Sequence, residues 1–463
     1  MEPALSETNH QETPPAQKAE LNFSAKQLRR LMIPLLIEQF LTYTVGLADS
    51  LMVARVGEAA VSAVSLVDTV NVLLIGALNA LAAGGAVVAG QYIGQQRMKK
   101  ANSAAEQLLL FMILLSALLT GLLYGFRTGL LRILFGHIDP VVMGHCQTYF
   151  LIVEASIPFM AVYSAGAALF RIMGNSAISM KTSLLMNGIN VAGNALLIFG
   201  FRMGVAGVAI PTLVSRMAAA VIVVILLFRQ NQPIHFNRPF RPRFEKRIIT
   251  NILRLGVPSG VESSLFQLGK VILLSVVSAF GTASIAANAI GNTVASFQIL
   301  APQAIGIGMM TIVSQCVGSG DFSKTRLYIK KLMKASYLAT LVTNLLIFAL
   351  LPLLLRLYNV SAEASALAFK ILLLHGGLAI LLWPPAFVLP QALKAAGDTT
   401  FTMIAAVVSM WCFRIVFGIW FAKYLSQGVL GIWLAMYIDW ICRTAVYLLR
   451  YRGRRWESKL LKE

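Results

Sequence analysis

The chain has 463 residues, 57% of them hydrophobic and only 13% charged, with a mean hydropathy of +0.74. A soluble domain carries about 25% charged residues, so water is excluded as the solvent for most of this surface, and a lipid core demands helices or a closed barrel. The formal charge of +20 raises a nucleic-acid partner, which the placement of the basic residues then excludes.

In chain order, residues 1–25 are polar, carry Glu2, Glu7, Glu12 and Glu20, and lack the apolar core of a cleavable leader, which predicts a disordered cytoplasmic tail. Six apolar runs follow, near 31–54, 62–90, 104–126, 144–170, 182–200 and 204–228, forming an N-terminal bundle over 26–228. A basic cytoplasmic linker spans 229–249. Six more runs follow near 250–279, 285–314, 327–355, 363–391, 400–422 and 427–450, forming a C-terminal bundle over 250–450, and a basic cytoplasmic tail covers 451–463. Each run approaches the ~20 residues a membrane span needs. Stretches such as Leu108–Tyr124 and Leu338–Leu355 are continuously apolar and do not alternate as barrel strands do. The expected fold is an all-α integral membrane protein: twelve transmembrane helices in two pseudo-symmetric six-helix bundles around a central cavity.

Of the 39 Lys and Arg, 29 fall on the tails and on alternate loops that would share one side. This is the positive-inside pattern, and it places both termini in the cytoplasm with anionic lipid headgroups as their neighbours. The two halves also repeat. Arg30–Gly94 matches Arg254–Gly318 at a constant offset of 224 residues, pairing Pro34 with Pro258, Glu38 with Glu262, Gly84 with Gly308 and Gln91 with Gln315. Each half has an even number of spans, so the repeats are parallel, with a site expected between them. Pro34, Pro158, Pro211, Pro258, Pro302, Pro384, Pro385 and Pro390 lie inside spans, where each tends to kink its helix. Gly90/Gly94 and Gly256/Gly260 have GxxxG spacing. Such features serve helix packing, or let one half rock against the other.

No GxSxG, HExxH or GxxxxGK[ST] occurs, so no enzyme is expected. Cys146, Cys316, Cys412 and Cys442 have unrelated spacings, which supports neither zinc nor disulfides. His375, alone in its span, reads as a hydrogen-bonded core residue. The informative groups are polar residues in lipid, where an ionised side chain at the helix centre is unfavourable by ~2.5–3.5 kcal/mol. Glu38 and Asp49 share one face of the first span with Thr42 between them. The matching seventh span has Glu262 and Phe266 one turn apart, then Gln267 and Lys270. Span five presents Ser183, Asn187, Asn190 and Asn194 as a stripe, and span eight has Asn288 and Asn292. Asp68 lies in span two and Glu154 in span four. Amides in such positions also join helices, and Asp68, Arg216 and Asp439 suit structural ion pairs. Glu38, Asp49 and Glu262 read as functional, since a partly dehydrated carboxylate exchanges protons nearer neutrality or attracts a cation.

In order, Pro34 with Asp49-Ser50-Leu51-Met52-Val53 and Gly57, Gln91-Tyr92-Ile93-Gly94, Ile157-Pro158-Phe159, Phe170-Arg171-Ile172-Met173-Gly174-Asn175, Asn190-Val191-Ala192-Gly193-Asn194, Gly204-Val205-Ala206-Gly207, Gly256-Val257-Pro258, Gln315-Cys316-Val317-Gly318 and Leu393-Lys394-Ala395-Ala396-Gly397-Asp398-Thr399 resemble the multidrug and toxic compound extrusion (MATE) transporters of bacteria. The resemblance runs from about Arg30 to Arg450. It implies export of organic, often cationic and amphipathic, compounds in exchange for H+ or Na+ by alternating access. Apart from that coupling ion, no cofactor or metal is implied. It places the cation-coupling site on Asp49, Glu38, Asn190, Asn194 and Glu262. The polar residues within the spans and their neighbours then give the expected substrate cavity as Thr42, Asn187, Phe266, Gln267, Lys270, Asn288, Asn292, Asp68 and Glu154. Asn194 stands where some members have Asp, Trp383 stands near the place of a tenth-helix Asp, and Phe266 takes the place of a seventh-helix acid. The partners expected are small organic substrates and membrane lipids, around a monomer in the bacterial plasma (inner) membrane. The main rival is a lipid-linked precursor flippase of the same superfamily, which would need Lys270, Arg216 and Arg414 to converge on one cavity. A passive channel and a non-transporting scaffold are further alternatives.

Overall fold

The computed structural model describes residues 22–136, 138–236 and 244–459, which leaves most of the predicted N-terminal tail, part of the linker and the last four residues outside. Among the described residues there are helices and no strands. The apolar runs become α1 (Ala25–Ala54), α2 (Glu58–Gly94), α3 (Met98–Phe135), α4 (Pro140–Glu154 and Ile157–Ile172), α5 (Ser176–Gly200), α6 (Ala206–Leu227), α7 (Lys246–Ser278), α8 (Gly281–Gln298 and Leu300–Gly318), α9 (Phe322–Leu357), α10 (Ala362–Ala395), α11 (Thr399–Lys423) and α12 (Gly428–Arg452). Twelve spans result, as the hydropathy predicts.

Local chemistry sets the ends. Ser24 and Gln27 form a reciprocal capping box at the start of α1. Asp139, Asp321 and Ser361 cap α4, α9 and α10 through side-chain oxygens. The prolines differ in effect. Pro158 is the second residue of the second segment of α4, which meets the first at a 43° bend, and Pro302 follows the break in α8 at Ile299. Pro384-Pro385 opens a π-helical turn, Pro384–Val388, in α10. Pro34, Pro211 and Pro258 sit within continuous helices. Two more π-helical stretches, Leu196–Gly200 and Ser409–Ile415, interrupt α5 and α11.

Lipid tails are as apolar as Leu, so packing relies on close backbone approach rather than on water exclusion. The halves meet chiefly along α2 against α7, and pseudo-symmetrically along α8 against α1. A Cβ added to Gly84 would lie 2.7 Å from the Cα of Gly256, and one on Gly260 would touch Ala77 at 3.4 Å. The Gly256/Gly260 pair therefore lies on the α2–α7 contact, while Gly90 and Gly94 face Ser314 and Gln315 of α8.

Toward the end that carries the termini, the interface closes reciprocally. The Gln91 amide donates to the carbonyl of Ala395 at 2.9 Å, and the Gln315 amide donates to the carbonyl of Ile172 at 2.6 Å. Ile172 and Ala395 are the last residues of α4 and α10, so each half supplies a donor to a helix-terminal carbonyl of the other. The chains are so close here that a Cβ on Gly94 would overlap the Gln315 carbonyl, and one on Gly318 would overlap that of Gln91.

Candidate functional site

In the N-terminal half, α1 and α5 pack together and set Asp49 against the amide stripe. Asn194 donates to Asp49 Oδ1 at 3.0 Å. Turned with its nitrogen toward Asp49, the Asn190 amide reaches both carboxylate oxygens, at 3.0 and 3.1 Å, while its oxygen accepts from Thr212 Oγ1 at 3.1 Å. Asn194 Oδ1 is buried and has no hydrogen-bond partner among the described residues. Asp68, on α2, lies within electrostatic range of Asp49. It accepts from the Tyr149 hydroxyl at 3.1 Å and from Asn71 at 3.5 Å. Arg216 sits near Asp68 and Glu154 and donates to Ser156 at 2.7 Å. Glu154 is fully buried, with both oxygens lacking hydrogen bonds. Asp68, Arg216 and Glu154 thus make a structural charge cluster beside the Asp49 site.

Glu38 and Glu262 are repeat partners, and each meets a base. Glu38 accepts from Ser179 at 2.9 and 3.0 Å and pairs with Arg171 at 3.4 Å. Glu262 pairs with Lys394 at 2.9 Å. Phe170–Asn175 and Leu393–Asp398 align at an offset of 223, so Arg171 and Lys394 are repeat partners too. Counting them with loop cations misses these pairs; setting the two motifs side by side reveals them.

Between the halves, walled mainly by the C-terminal one, two adjoining cavities of about 400 and 630 Å3 both reach Phe266's neighbours Gln267 and Lys270, together with Asn292, Arg414 and Trp433; Asp68 and Val72 border the smaller from the N-terminal half, and Tyr43 and Asn79 the larger. Aromatic walls line the larger one. Trp383 stacks on Phe387 at 4.0 Å, and Trp440 lies edge-on to both. His375 is buried between Trp433 and Trp440 and bonds Gln298 at 2.6 Å, the core role expected of it. Asn288 lines the smaller cavity and accepts from the Trp433 indole at 3.1 Å. Phe266 has Lys270, Arg414 and Arg443 within 5.8, 5.7 and 5.5 Å of its ring centroid. Arg443 is held by Asp439 at 2.7 Å.

The predicted residues therefore divide. Asp49, Asn190 and Asn194 come together in one half. Phe266, Gln267, Lys270, Asn288 and Asn292 come together in the other, and Asp68 lines the edge of the smaller cavity. Thr42, Asn187 and Glu154 lie outside these cavities: the Thr42 hydroxyl bonds its own helix at Glu38, and the buried Asn187 nitrogen lacks a partner. Of the three cations a flippase would bring together, Lys270 and Arg414 share a cavity, while Arg216 stays in the opposite half. Sequence reasoning missed Tyr43, whose hydroxyl donates across the halves to Gln303 at 2.8 Å, and the aromatic wall. No cluster of three His, Cys, Asp or Glu able to hold a metal occurs among the described residues.

The MatE family model matches residues 34–196 and then 258–420, the same displacement as the internal repeat. The chain is 25% identical over 416 residues to the probable multidrug resistance protein YoeA of Bacillus subtilis, covering 88% of this chain and 89% of the relative. It is 24% identical over 449 residues to the probable multidrug resistance protein NorM of Thermotoga maritima, covering 96% and 95%. A solved outward-facing multidrug resistance MATE family transporter of the MOP superfamily superposes with a TM-score of 0.86 at 21% identity, over 93% of this chain and 95% of that one. The fold is shared over almost the whole of each chain.

Proposed function

Because this chain belongs to the MatE family of multi-pass membrane transporters, we propose that it is a bacterial exporter of amphipathic organic compounds, driven by inward movement of H+ or Na+ through alternating access. The observation that carries the reading is Asp49, a carboxylate within a membrane span held by the amides of Asn190 and Asn194. Glu38 and Glu262 already have Arg171 and Lys394, which leaves Asp49 as the one of these three acids without an ion pair among the described residues. A proton needs the carboxylate alone. A sodium ion takes several oxygens, and the open Oδ1 of Asn194 is one more beside it.

The cavity and the ion site share α1. Tyr43, a turn and a half before Asp49, lines the larger cavity and bonds Gln303 of the other half. An ion neutralising Asp49 weakens its pull on α5, and the resulting shift of α1 reaches the cavity wall through Tyr43. With the halves closed at the end carrying the termini, the cavity empties toward the opposite end; reopening the glutamine contacts exposes it to the first end. Both termini lie in the cytoplasm in this reading, which makes the described state outward-open.

Dye efflux from proteoliposomes, driven in parallel by an imposed pH gradient and an imposed Na+ gradient, tests the proposal. Asp49→Asn keeps an acceptor oxygen for the contacts that Asn190 and Asn194 make with Oδ1, gives up the second oxygen and removes the charge, so gradient-driven efflux should vanish while the protein still purifies folded. Full activity of Asp49→Asn under both gradients sinks the assignment.

A further inference from the structure

We propose that the C-terminal cavity is a site for organic anions: flat aromatic compounds bearing a carboxylate, sulfonate or phosphate, seated on Lys270 and Arg414. This deepens the export reading and rests on it for the direction of transport. The carboxylates near the cavity already have basic partners, each through one oxygen. Glu262 Oε1 is bonded to Lys394, and Asp439 Oδ1, which also lies within electrostatic range of Arg414, is bonded to Arg443 and Ser409; neither acid lines these two cavities. Asp68 across the cavity is held by Tyr149 and Asn71, with Arg216 nearby. Lys270 and Arg414 have no ion pair among the described residues, and Arg414 Nε is buried without a hydrogen bond.

An unpaired cation in a membrane span is strongly unfavourable unless it faces water or a counter-charge. The ring of Phe266 offers both cations a π face, which softens the field without cancelling it. The surplus of positive charge therefore points into the cavity. The guanidinium fork and its open Nε suit a carboxylate or phosphate, and Gln267 and Asn292 supply amides beside it. The Trp383–Phe387 stack and Trp433 give flat apolar walls for a ring system, in a volume typical of drug-sized ligands. A cationic dye would meet two like charges there.

The test uses the full-length protein in lipid nanodiscs and two xanthene dyes of opposite charge, fluorescein and rhodamine 123, read by fluorescence anisotropy. Fluorescein should bind more tightly. Lys270→Gln and Arg414→Gln should each weaken it about tenfold, the usual worth of one hydrogen bond to a charged group, and Lys270→Arg should preserve it. Displacement by 2-naphthoate alone assigns a soluble aromatic anion, and displacement by farnesyl phosphate as well assigns a lipid-linked one. Equal or tighter binding of rhodamine 123 overturns the proposal, as does undiminished fluorescein binding by the folded double variant or displacement by neither competitor. The wild-type dye comparison decides even where Arg414→Gln fails to fold. Equilibrium binding needs no gradient, so the two readings separate. Fluorescein binding without gradient-driven efflux sinks the exporter and spares the site; efflux of rhodamine 123 without fluorescein binding does the reverse.

Discussion

Replacing Gln91 and Gln315 by Leu keeps size and removes the two amides that join the halves. Each donor serves a helix-terminal carbonyl, at 2.9 Å on Ala395 and 2.6 Å on Ile172, and the glutamines are 0% and 6% exposed. A buried carbonyl deprived of its donor is destabilised by about 1–3 kcal/mol, whereas the separated arrangement wets it. The closed arrangement should thus lose about 1.4 kcal/mol or more per site, a tenfold shift each and roughly a hundredfold for the pair. Spin labels at exposed Met98 and Ser323, one in each half, would report the separation by double electron–electron resonance. The double variant should gain a longer-distance population that each single variant shows in part. An unchanged distance distribution in the folded double variant would refute the reasoning that these bonds hold that end shut.

Two further outcomes follow from the buried charge pairs. Asp439→Ala leaves Arg443, 3% exposed, without its carboxylate, a loss of about 3–5 kcal/mol; its thermal midpoint should fall well below wild type, and Asp439→Ala/Arg443→Leu should recover much of the difference. Arg171→Met strands Glu38 on Ser179 alone, but the Arg171 side chain is 22% exposed, so the loss should be smaller, about 1–3 kcal/mol. A midpoint drop for Arg171→Met as large as that for Asp439→Ala would contradict the ranking.

The spans were legible because a run of apolar residues long enough for the bilayer has few alternatives, and the repeat was legible because Pro, Glu, Gln and Gly recur in one ungapped register. The Asp49–Asn190–Asn194 group was legible as well, since helical periodicity puts each on a single face and only two helices must meet. The C-terminal cavity was legible in part: Phe266, Gln267, Lys270, Asn288 and Asn292 stood out in the sequence, but not their closure by Arg414 and the Trp383–Phe387 wall. Lys270 and Arg414 come from α7 and α11, and Arg414 lies in the π-helical stretch Ser409–Ile415. One extra residue per turn rotates the following face by about 100°, and no hydrophobic period announces it. Phe387 lies in a second such turn, Pro384–Val388, on the same cavity. The pairing of Glu262 with Lys394 hid for another reason: the repeat slips from 224 to 223 residues before the second motif, so one fixed register does not align the two bases.

The glutamine contacts carry an implication for how such a chain is built. Gln91 on the Ala395 carbonyl and Gln315 on the Ile172 carbonyl are the same bond made twice about one axis. A surface of that kind is isologous: two copies of either half would satisfy it as well as the covalent pair does. Joining them in one polypeptide removes the need for identity, and this sequence uses that freedom, with an acid among amides in one half and unmatched bases among aromatic rings in the other.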